Sequence, residues 1–323
     1  EAITLKKQIL ADAMRIMGPD SSGTSAVRLS LAASYRDAGR LDEAITLYQQ
    51  NLEDRARILG SDHPHTLTAR NQLAGAYRDA GRLDEAILLF EQNLTNFTGL
   101  AGPDHPHTLS SRGTLAGAYR DAGRLDEAIT LYQQNLDDVA RTLGLDHPET
   151  LALRHSLAGA YRDAGRLEEA IPLFEQNLTY FIRILGPDRP DTFTSRSTLA
   201  GAYRDAGRLD EAITLFAQTL EDRTRTLGPA HPGTLTSRNN LAGAYQAAGR
   251  LNEAITLHRQ TLKDCSRTLG PHHPHTLTSR TNLAEAYRTA GRFEDAEKLF
   301  ETPSGSEDEQ DGTEDNPDQE TSD

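Results

Sequence analysis

The sequence predicts an all-α protein built as a solenoid of about seven antiparallel helix pairs, and three observations carry that prediction. The stretch YRDAGRLDEA at residues 35–44 recurs, identical or nearly so, with its tyrosine repeating every 42 residues. Two glycines in each copy, and a proline in most copies, keep the same period without insertion or deletion. Apolar residues follow helical spacing, and no segment alternates as a strand does. In-phase copies are expected to stack with one geometry throughout.

The first helix of each copy, which we call helix A, is justified by its end signals in the second copy. Helix A opens at Pro64, because proline suits a first helical turn and lacks only a donor that would have no partner there. Asp62 or His63 can cap it. It is predicted to run to about Ala80 and to stop at Gly81, since glycine readily adopts the conformation that ends a helix.

The second helix, helix B, opens with two acids, Asp84 and Glu85, which the positive end of the helix dipole favours. In most copies it ends at a glycine that is often followed by proline, which is a helix stop. Its apolar positions in the second copy trace one helical face. They are Leu83, Ala86, Ile87, Phe90, Leu94 and Phe97.

The solenoid is expected to occupy residues 1–301. Glu1 aligns with Glu43, so the sequence starts inside a repeat, at a helix B, and seven A helices and eight B helices are predicted. The last helix B starts at Phe293. Residues 302–323 combine Gly, Ser, Pro and acids without an aromatic residue, which predicts a disordered acidic tail. A solvating end is the favoured role of this tail, and an interaction segment is the alternative.

Composition excludes several classes of protein. The single cysteine, Cys265, rules out an intramolecular disulfide and fits a reducing, cytoplasmic location. No apolar run approaches the ~18 residues that a membrane helix needs. The net charge is −14, but residues 301–323 carry ten acids and no base, which leaves −4 for the rest. A nucleic-acid binder would usually show a basic face.

Signals for catalysis, cofactors and metals are absent or weak. The sequence has no Gly-Lys pair of a phosphate loop and no arrangement typical of a serine or cysteine triad, so no enzyme is predicted. The pair His63-x-His65 and its copies fall at the start of helix A, where capping explains them, and Arg189 replaces the histidine once. Glycosylation signals at Asn93 and Asn177 lie within helix B and are discounted. No cofactor and no metal site are expected.

A family resemblance rests on Leu73-Ala74-x-x-Tyr77, with Ala86 nine residues further on. This pattern resembles the tetratricopeptide repeat, and the longer period with NNLAGAY at 239–245 resembles the kinesin-light-chain type. The resemblance implies a right-handed superhelix whose concave groove is lined by helix A. Similar arrays are common in bacterial proteins, often behind a nucleotide-binding domain. The columns predicted to form the core are those of Leu73, Ala74, Tyr77, Ala80, Gly81, Ala86 and Ile87.

The opposite side of helix A forms the candidate groove, with Thr68, Asn71, Gly75 and Arg78 in one stripe. Glycine within a helix costs roughly 1 kcal/mol relative to alanine, yet Gly75 and its equivalents recur. Either a ligand backbone approaches these glycines, or neighbouring A helices are in close contact there; both alternatives stay open.

Small polar residues dominate the two most variable positions of the groove, and a solvated face is the alternative explanation for them. Amides can pair with both the N–H and the C=O of an extended peptide. The resemblance to kinesin light chains implies that Asn240 and Asn282, with Gln72 as a near substitute, contact the backbone of a bound peptide. The candidate residues of this kind are Asn71, Gln72, Thr114, Ser156, Thr198, Asn239, Asn240 and Asn282.

Two arginine columns complete the candidates. Four arginines are each followed by aspartate, which favours a ladder of ion pairs between repeats over ligand binding: Arg78, Arg120, Arg162 and Arg204. Arg288 has lost its adjacent acid and is a candidate for binding a ligand carboxylate. The column from Arg28 to Arg280 is interpreted as structural, its stem packed and its guanidinium reaching an acid on helix B.

The predicted function is therefore non-catalytic binding of a protein or peptide segment in the groove, with no nucleic-acid or membrane partner. One alternative is that the array forms the ligand-sensing arm of a larger bacterial signalling NTPase, with that domain upstream of Glu1. A helical-repeat RNA reader is a third hypothesis, disfavoured by the nearly neutral body.

Overall fold

The structure, a computed structural model, describes residues 2–300, and every regular element in that range is a helix. The predicted seven A helices and eight B helices are confirmed there, while the predicted acidic tail lies outside the described residues. The A helices are α2 (Ser22–Asp37), α4 (Pro64–Asp79), α6 (Pro106–Asp121), α8 (Pro148–Asp163), α10 (Pro190–Asp205), α12 (Pro232–Ala247) and α14 (Pro274–Thr289). The B helices are α1 (Ala2–Met17), α3 (Leu41–Leu59), α5 (Leu83–Ala101), α7 (Leu125–Leu143), α9 (Leu167–Leu185), α11 (Leu209–Leu227), α13 (Leu251–Leu269) and α15 (Phe293–Lys298).

The chain divides into two compact units, a first unit of Glu1–Leu215 and a second unit of Phe216–Asp323. In the first unit each helix from α1 to α9 packs against the next one along the chain. In the second unit α12, α13, α14 and α15 pack in the same sequential way. Both units are therefore stacks of antiparallel helix pairs, as the sequence predicts.

Each A helix starts where the sequence places its signals. In α4 the Nδ1 atom of His63 accepts the backbone N–H of His65 at 3.2 Å, and Pro64 occupies the first turn. This bond satisfies one of the donors that a helix start leaves free. Arg189, at the equivalent position of α10, makes no side-chain cap. The same cap recurs at His105, His147, His231 and His273.

The recurring decapeptide builds the turn between helix A and helix B. Gly81 has φ of +71°, a left-handed conformation that favours glycine. Its N–H donates to Arg78 O at 3.0 Å, and the N–H of Arg82 donates to Tyr77 O at 2.9 Å, which is a Schellman motif. The Arg82 guanidinium then lies 4.5 Å from the Tyr77 ring centre and pairs with Glu85. The role of the decapeptide is thus structural.

The predicted core columns are buried where the helices meet. Leu73, Ala74 and Tyr77 of α4 pack with Ala86 and Ile87 of α5. The alanines are fully buried, which lets the two helices approach closely. The last two predicted columns differ, since they form the turn: Ala80 is half-buried and Gly81 is exposed.

The hydroxyls of the core tyrosines bond to the preceding repeat. Tyr77 Oη accepts from Gln49 Nε2 at 2.7 Å, and Tyr119 Oη donates to Glu91 at 2.5 Å. Burial, followed by the bond to Glu91, raises the pKa of Tyr119 to about 12. The tyrosine column therefore joins successive repeats through its hydroxyl as well as through its ring.

A column of buried asparagines on the B helices also ties helix B to helix A. Asn93 is fully buried, and its Nδ2 donates to Leu67 O at 2.9 Å. Asn177 donates to Leu151 O at 3.1 Å. These contacts explain why the two glycosylation signals are inaccessible, as predicted. Sequence reasoning missed this structural role, although the recurrence of asparagine among the apolar positions of helix B was a visible signal.

Candidate functional site

The exposed side of the A helices carries the polar columns that the sequence singles out, and we call it the groove face. In α4 it consists of Thr68, Asn71, Gln72, Gly75 and Arg78. The first and last of these are exposed, and the three between them are half-buried. Because the other side of α4 packs against α3 and α5, this face is the part of the helix that a ligand can reach.

Ion pairs run along the groove face of the first unit from one repeat to the next. Arg120 Nε lies 2.5 Å from Asp163 Oδ2, and Arg162 Nε lies 2.7 Å from Asp205 Oδ2. The same spacing joins Arg36 to Asp79, and Arg78 to Asp121 at 3.5 Å. The predicted ladder is therefore present. Its members are partly exposed, and pairs of this kind contribute less than about 1 kcal/mol each.

The last two arginine candidates lie outside this pattern. Arg204 Nη2 is 3.2 Å from the adjacent Asp205, which also holds Arg162. Arg288 is exposed, and no acid among residues 2–300 pairs with it. Thr289 follows it where the first five A helices have aspartate and the sixth has Ala247. Arg288 thus keeps a free guanidinium on the groove face of the second unit.

Contact between neighbouring helices explains little of the recurrence of glycine at the position of Gly75. A Cβ atom added at Gly159 would lie 3.1 Å from the Arg120 guanidinium, a tight approach by the ladder arginine of the preceding repeat. At Gly75 and Gly201 the corresponding distances are 4.0 and 3.9 Å, which is ordinary contact. At Gly243 nothing lies within 4 Å of that Cβ position. Close approach between repeats therefore explains one glycine, and the helix backbone at Gly243 is accessible.

Most of the small polar candidates in the first unit already have partners. Asn71 Oδ1 accepts from Asn93 Nδ2 at 2.5 Å. Gln72 Oε1 is the exception, since it is buried and receives no hydrogen bond from the part of the chain that the structure describes. Three hydroxyls each donate at 3.0 Å to the carbonyl four residues earlier: Thr114, Ser156 and Thr198.

The asparagine candidates in the second unit are free by comparison. The side-chain amides of Asn240 and Asn282 are half-buried and make no hydrogen bond within residues 2–300. Asn239 Oδ1 is buried and accepts no hydrogen bond there either. An unsatisfied buried acceptor costs roughly 1–3 kcal/mol, which a ligand N–H would recover.

A substitution on helix B explains why Asn239 lacks the partner that Asn71 has. The buried Asn93 that donates to Asn71 is replaced in the second unit by Thr261, whose hydroxyl donates to Leu257 O at 2.9 Å. Asn239 instead faces a cavity of about 340 Å³ between α12, α13 and the start of α14. The cavity is large enough for a side chain of a bound segment.

The second unit also carries a polar pair where the first unit has an aromatic residue. His258 stands at the position of Tyr48 and Tyr132, and its Nε2 lies 3.2 Å from Gln246 Oε1. Burial lowers the pKa of His258, so the ring is neutral and its Nε2–H donates to Gln246. The buried Nδ1 has no partner among the described residues. Asn239 Oδ1 and His258 Nδ1 are thus two buried polar atoms of this unit that have no partner in the described range.

The buried arginines were predicted to reach an acid on helix B. The structure confirms this in three repeats and contradicts it in two. Arg70 and Arg154 reach no acid on helix B and instead donate to Asn93 Oδ1 at 2.9 Å and to Asn177 Oδ1 at 3.1 Å. The reason is in the sequence, since neutral residues stand where the other B helices have aspartate. The three ion pairs are Arg28–Asp54 at 2.5 Å, Arg112–Asp138 at 2.5 Å and Arg238–Asp264 at 2.8 Å.

The stacked hairpins and their exposed polar face define the class of helical-repeat proteins. A tetratricopeptide repeat family model matches six overlapping segments, 23–98, 71–137, 107–176, 149–221, 191–263 and 237–302. The chain therefore belongs to the tetratricopeptide repeat family. No curated protein matches it.

Solved structures place its repeats with those of kinesin-light-chain type. A putative kinesin light chain from Podosopora anserina with nearly identical TPR-like repeats is 35% identical, at a TM-score of 0.60 over 64% of this chain and 98% of that chain. BtubC (BKLC) from P. vanneervenii is 20% identical, with a TM-score of 0.58 over 72% of this chain and 94% of that chain. The second likeness shows the fold alone.

A signal-transduction ATPase with a tetratricopeptide repeat sensor, from Pyrococcus horikoshii, has a TM-score of 0.62 at 12% identity. The match covers 92% of this chain and 42% of that chain, and it too shows only the fold. No helix within residues 2–300 is long and apolar enough to cross a membrane.

Proposed function

We propose that the protein is a non-catalytic scaffold that binds an extended peptide or protein segment on its groove face. The second unit holds the segment most firmly. The observation that carries this proposal is the buried Asn239 Oδ1, which accepts no hydrogen bond from the described residues and is adjacent in sequence to Asn240. Such a group is stabilised when a ligand donates a hydrogen bond to it.

The free amides suit an extended backbone. Asn240 and Asn282 occupy the same position of consecutive A helices, directly before the core leucine. Each amide can donate to a backbone carbonyl and accept from a backbone N–H. Because the A helices are rigid and already packed, binding orders few side chains of the protein, which limits its entropic cost.

Arg288 adds a charge preference to this surface. Its guanidinium is exposed and without an acidic partner in the described range, and guanidinium groups bind carboxylates in a bidentate way. The preferred segment therefore carries an acidic side chain or a terminal carboxylate near its contact with α14. The ladder arginines of the first unit attract such a group less, because their aspartate partners compete for it.

The direct test measures binding to an array of immobilised peptides that vary in charge. The double variant Asn240→Ala/Asn282→Ala is expected to weaken the best-bound peptides by about tenfold or more, since two hydrogen bonds are lost. Its melting temperature should barely change, because neither amide has a partner within residues 2–300. Equal loss of folding and binding would contradict the assignment.

A matched control is available in the first unit. The variant Thr114→Ala/Thr198→Ala also removes two polar groups from the groove face, but both hydroxyls are bonded within their own helices. Peptide binding should stay within about twofold of the original, because no ligand contact is lost. If this variant weakened binding as much as the asparagine variant, the second unit would have no special role.

A further variant tests whether Asn239 Oδ1 takes part in binding. Thr261→Asn places on α13 the amide that satisfies Asn71 in the first unit, and Asn239 Oδ1 then gains an internal donor. Peptide affinity should fall although no groove residue has been changed. Unchanged affinity in a folded Thr261→Asn protein would remove Asn239 from the binding surface.

A further inference from the structure

A second site lies away from the groove face, where two arginines of one repeat have lost their shared aspartate. In the third repeat, the Asp138 carboxylate lies between two arginines, which we call a clamp. Its Oδ2 is 2.5 Å from Arg112 Nη1, and its Oδ1 is 2.8 Å from Arg141 Nη2. The hydrogen bond from Arg112 holds the pKa of Asp138 below its ordinary value, so the arrangement favours an ionised carboxylate. Two other repeats repeat this clamp, around Asp54 and around Asp264.

The fourth repeat keeps both arginines of the clamp but not the acid. Arg154 and Arg183 occupy the positions of Arg112 and Arg141, whereas Tyr180 stands at the position of Asp138. The Tyr180 hydroxyl donates to the backbone carbonyl of Asp146 at 2.7 Å. No carboxylate therefore occupies the centre of this clamp.

The charge of Arg154 is poorly compensated. Its side chain is buried, and burial lowers its pKa although Asp146 acts in the opposite direction. Its two direct partners are neutral, Asn177 Oδ1 at 3.1 Å and Leu145 O at 3.4 Å. Asp146 itself pairs with Arg183 at 2.7 Å. A buried charge without a close counter-ion is costly, so a carboxylate from outside would be stabilised beside it.

The space for such a group is present. A cavity of about 550 Å³ lies between α8 and α9 and the turn that precedes α8. It is lined by Arg154, Arg183, Tyr180, Gln176 and Pro172, among others. Two acids also line it: Asp146 pairs with Arg183, and the Glu175 carboxylate already accepts the hydroxyl of Tyr203 at 2.6 Å.

The second repeat provides an internal comparison. Arg70 also lacks an acid, because Asn96 stands at that position, but Gly99 replaces the second arginine. Within residues 2–300, only the fourth repeat combines two arginines, a missing aspartate and an adjoining cavity.

We propose that the clamp of Arg154 and Arg183 is a carboxylate-binding site, which takes an acidic side chain or a terminal carboxylate of a partner. The carboxylate occupies the place that Asp138 fills in the third repeat and receives hydrogen bonds from both guanidinium groups. The site is separate from the groove face and does not depend on the function proposed for that face.

The test follows the binding of small carboxylates by the shift in melting temperature and by the arginine side-chain NMR signals. The probes are glutarate, an acetylated glutamate amide and an acetylated alanine with a free carboxylate. Chloride at equal ionic strength is the reference, and inorganic phosphate is a separate arm. The glutamate amide and the free alanine distinguish a side-chain carboxylate from a terminal one.

Three single variants make the test specific. Tyr180→Asp supplies the missing carboxylate from within and should abolish the response to every carboxylate probe. Tyr180→Asn removes the same phenol without adding charge and should keep the response. Asn96→Asp supplies a carboxylate at the equivalent position beside Arg70 in the second repeat, and this variant should also keep the response to the carboxylate probes.

The proposal is overturned if carboxylates raise the melting temperature no more than chloride does, or if only phosphate binds. It is also overturned if Tyr180→Asp responds like the original protein, or if Asn96→Asp loses the response. Variants that unfold are recognised by circular dichroism, and Arg183→Gln, which changes an exposed side chain, then provides the readout through reduced affinity.

Discussion

The groove faces of the two units have the same helices and spacing but differ in how their polar groups are satisfied. In the first unit the ladder arginines pair with aspartates, and Asn71 is held by Asn93. In the second unit Asn239 and Arg288 have no such partner within the described residues. For Asn239 the difference arises from Thr261, which replaces the buried asparagine, and the aspartate of the ladder is replaced in the second unit by Ala247 and Thr289.

This contrast indicates that a repeat array can separate stability from binding along its length. Copies with closed polar networks gain cohesion between neighbours, as expected when stability is a sum of repeat and interface terms. Copies whose polar groups are not paired with one another have less of that cohesion, and these groups remain able to form hydrogen bonds with a ligand. Substitutions at equivalent positions of the two units can test this contrast.

The largest effect is expected from the buried asparagine column. Asn93→Ala removes the bonds to Leu67 O, Asn71 and Arg70 and should destabilise the first unit by about 3 kcal/mol, at roughly 1 kcal/mol per hydrogen bond. Thr261→Ala, at the same position of the second unit, should cost about 1 kcal/mol or less, because one local bond is lost. Urea unfolding followed by circular dichroism measures both, and equal costs would remove the distinction.

The glycine column provides the next prediction, with a larger gain in stability expected in the second unit than in the first. Gly243→Ala should stabilise the protein by about 0.5–1 kcal/mol, because alanine favours helix and nothing lies within 4 Å of the new Cβ atom. Gly159→Ala should gain less or nothing, since its Cβ atom meets the Arg120 guanidinium at 3.1 Å. Thermal melts of the two single variants decide this, and a larger gain at Gly159 would contradict it.

Helix positions could be predicted from the sequence because their causes are local. The proline that starts helix A and the glycine that follows each helix act within one turn. The repeating pattern alone therefore predicts the ends of α4 and α5 to within one or two residues. The core columns were also predictable, because they combine helical spacing with identity between copies.

The partners of polar side chains were less predictable, because they depend on distances between repeats. The role of Asn93 requires knowledge that Leu67 O lies within reach, and asparagine otherwise resembles a surface residue. The acids that meet the arginine column could have been found by comparing copies, since Asp54, Asp138 and Asp264 are in phase. The glycine alternatives could not be decided without the position of the ladder arginines.

The ion-pair ladder should contribute modestly. Asp163→Asn removes the partner of Arg120 and is expected to lower stability by about 0.5 kcal/mol at low salt, because the pair is partly exposed. In the second unit, Thr289→Asp should gain nothing of this kind, because Gln246 stands where the ladder has arginine. Melting temperatures at low and high salt provide the measurement, and the differences should shrink as salt screens the charges. An effect that salt leaves unchanged would show that packing is responsible.

The smallest effect at neutral pH concerns the tyrosine hydroxyls that join repeats of the first unit. Burial and a carboxylate partner raise the pKa of Tyr119 and of Tyr203 to about 12, from an ordinary value of 10. Because the folded value is the higher one, this contribution to stability is complete below pH 10 and is lost as the pH rises through 12. Absorbance of tyrosinate during an alkaline titration should show these two tyrosines ionising last. Glu91→Gln should bring the ionisation of Tyr119 to lower pH while leaving that of Tyr203 in place, since each tyrosine has its own carboxylate partner. If the two tyrosines moved together, the hydroxyl contacts would not act separately in each repeat, and the closed network of the first unit would have to be treated as one cooperative array.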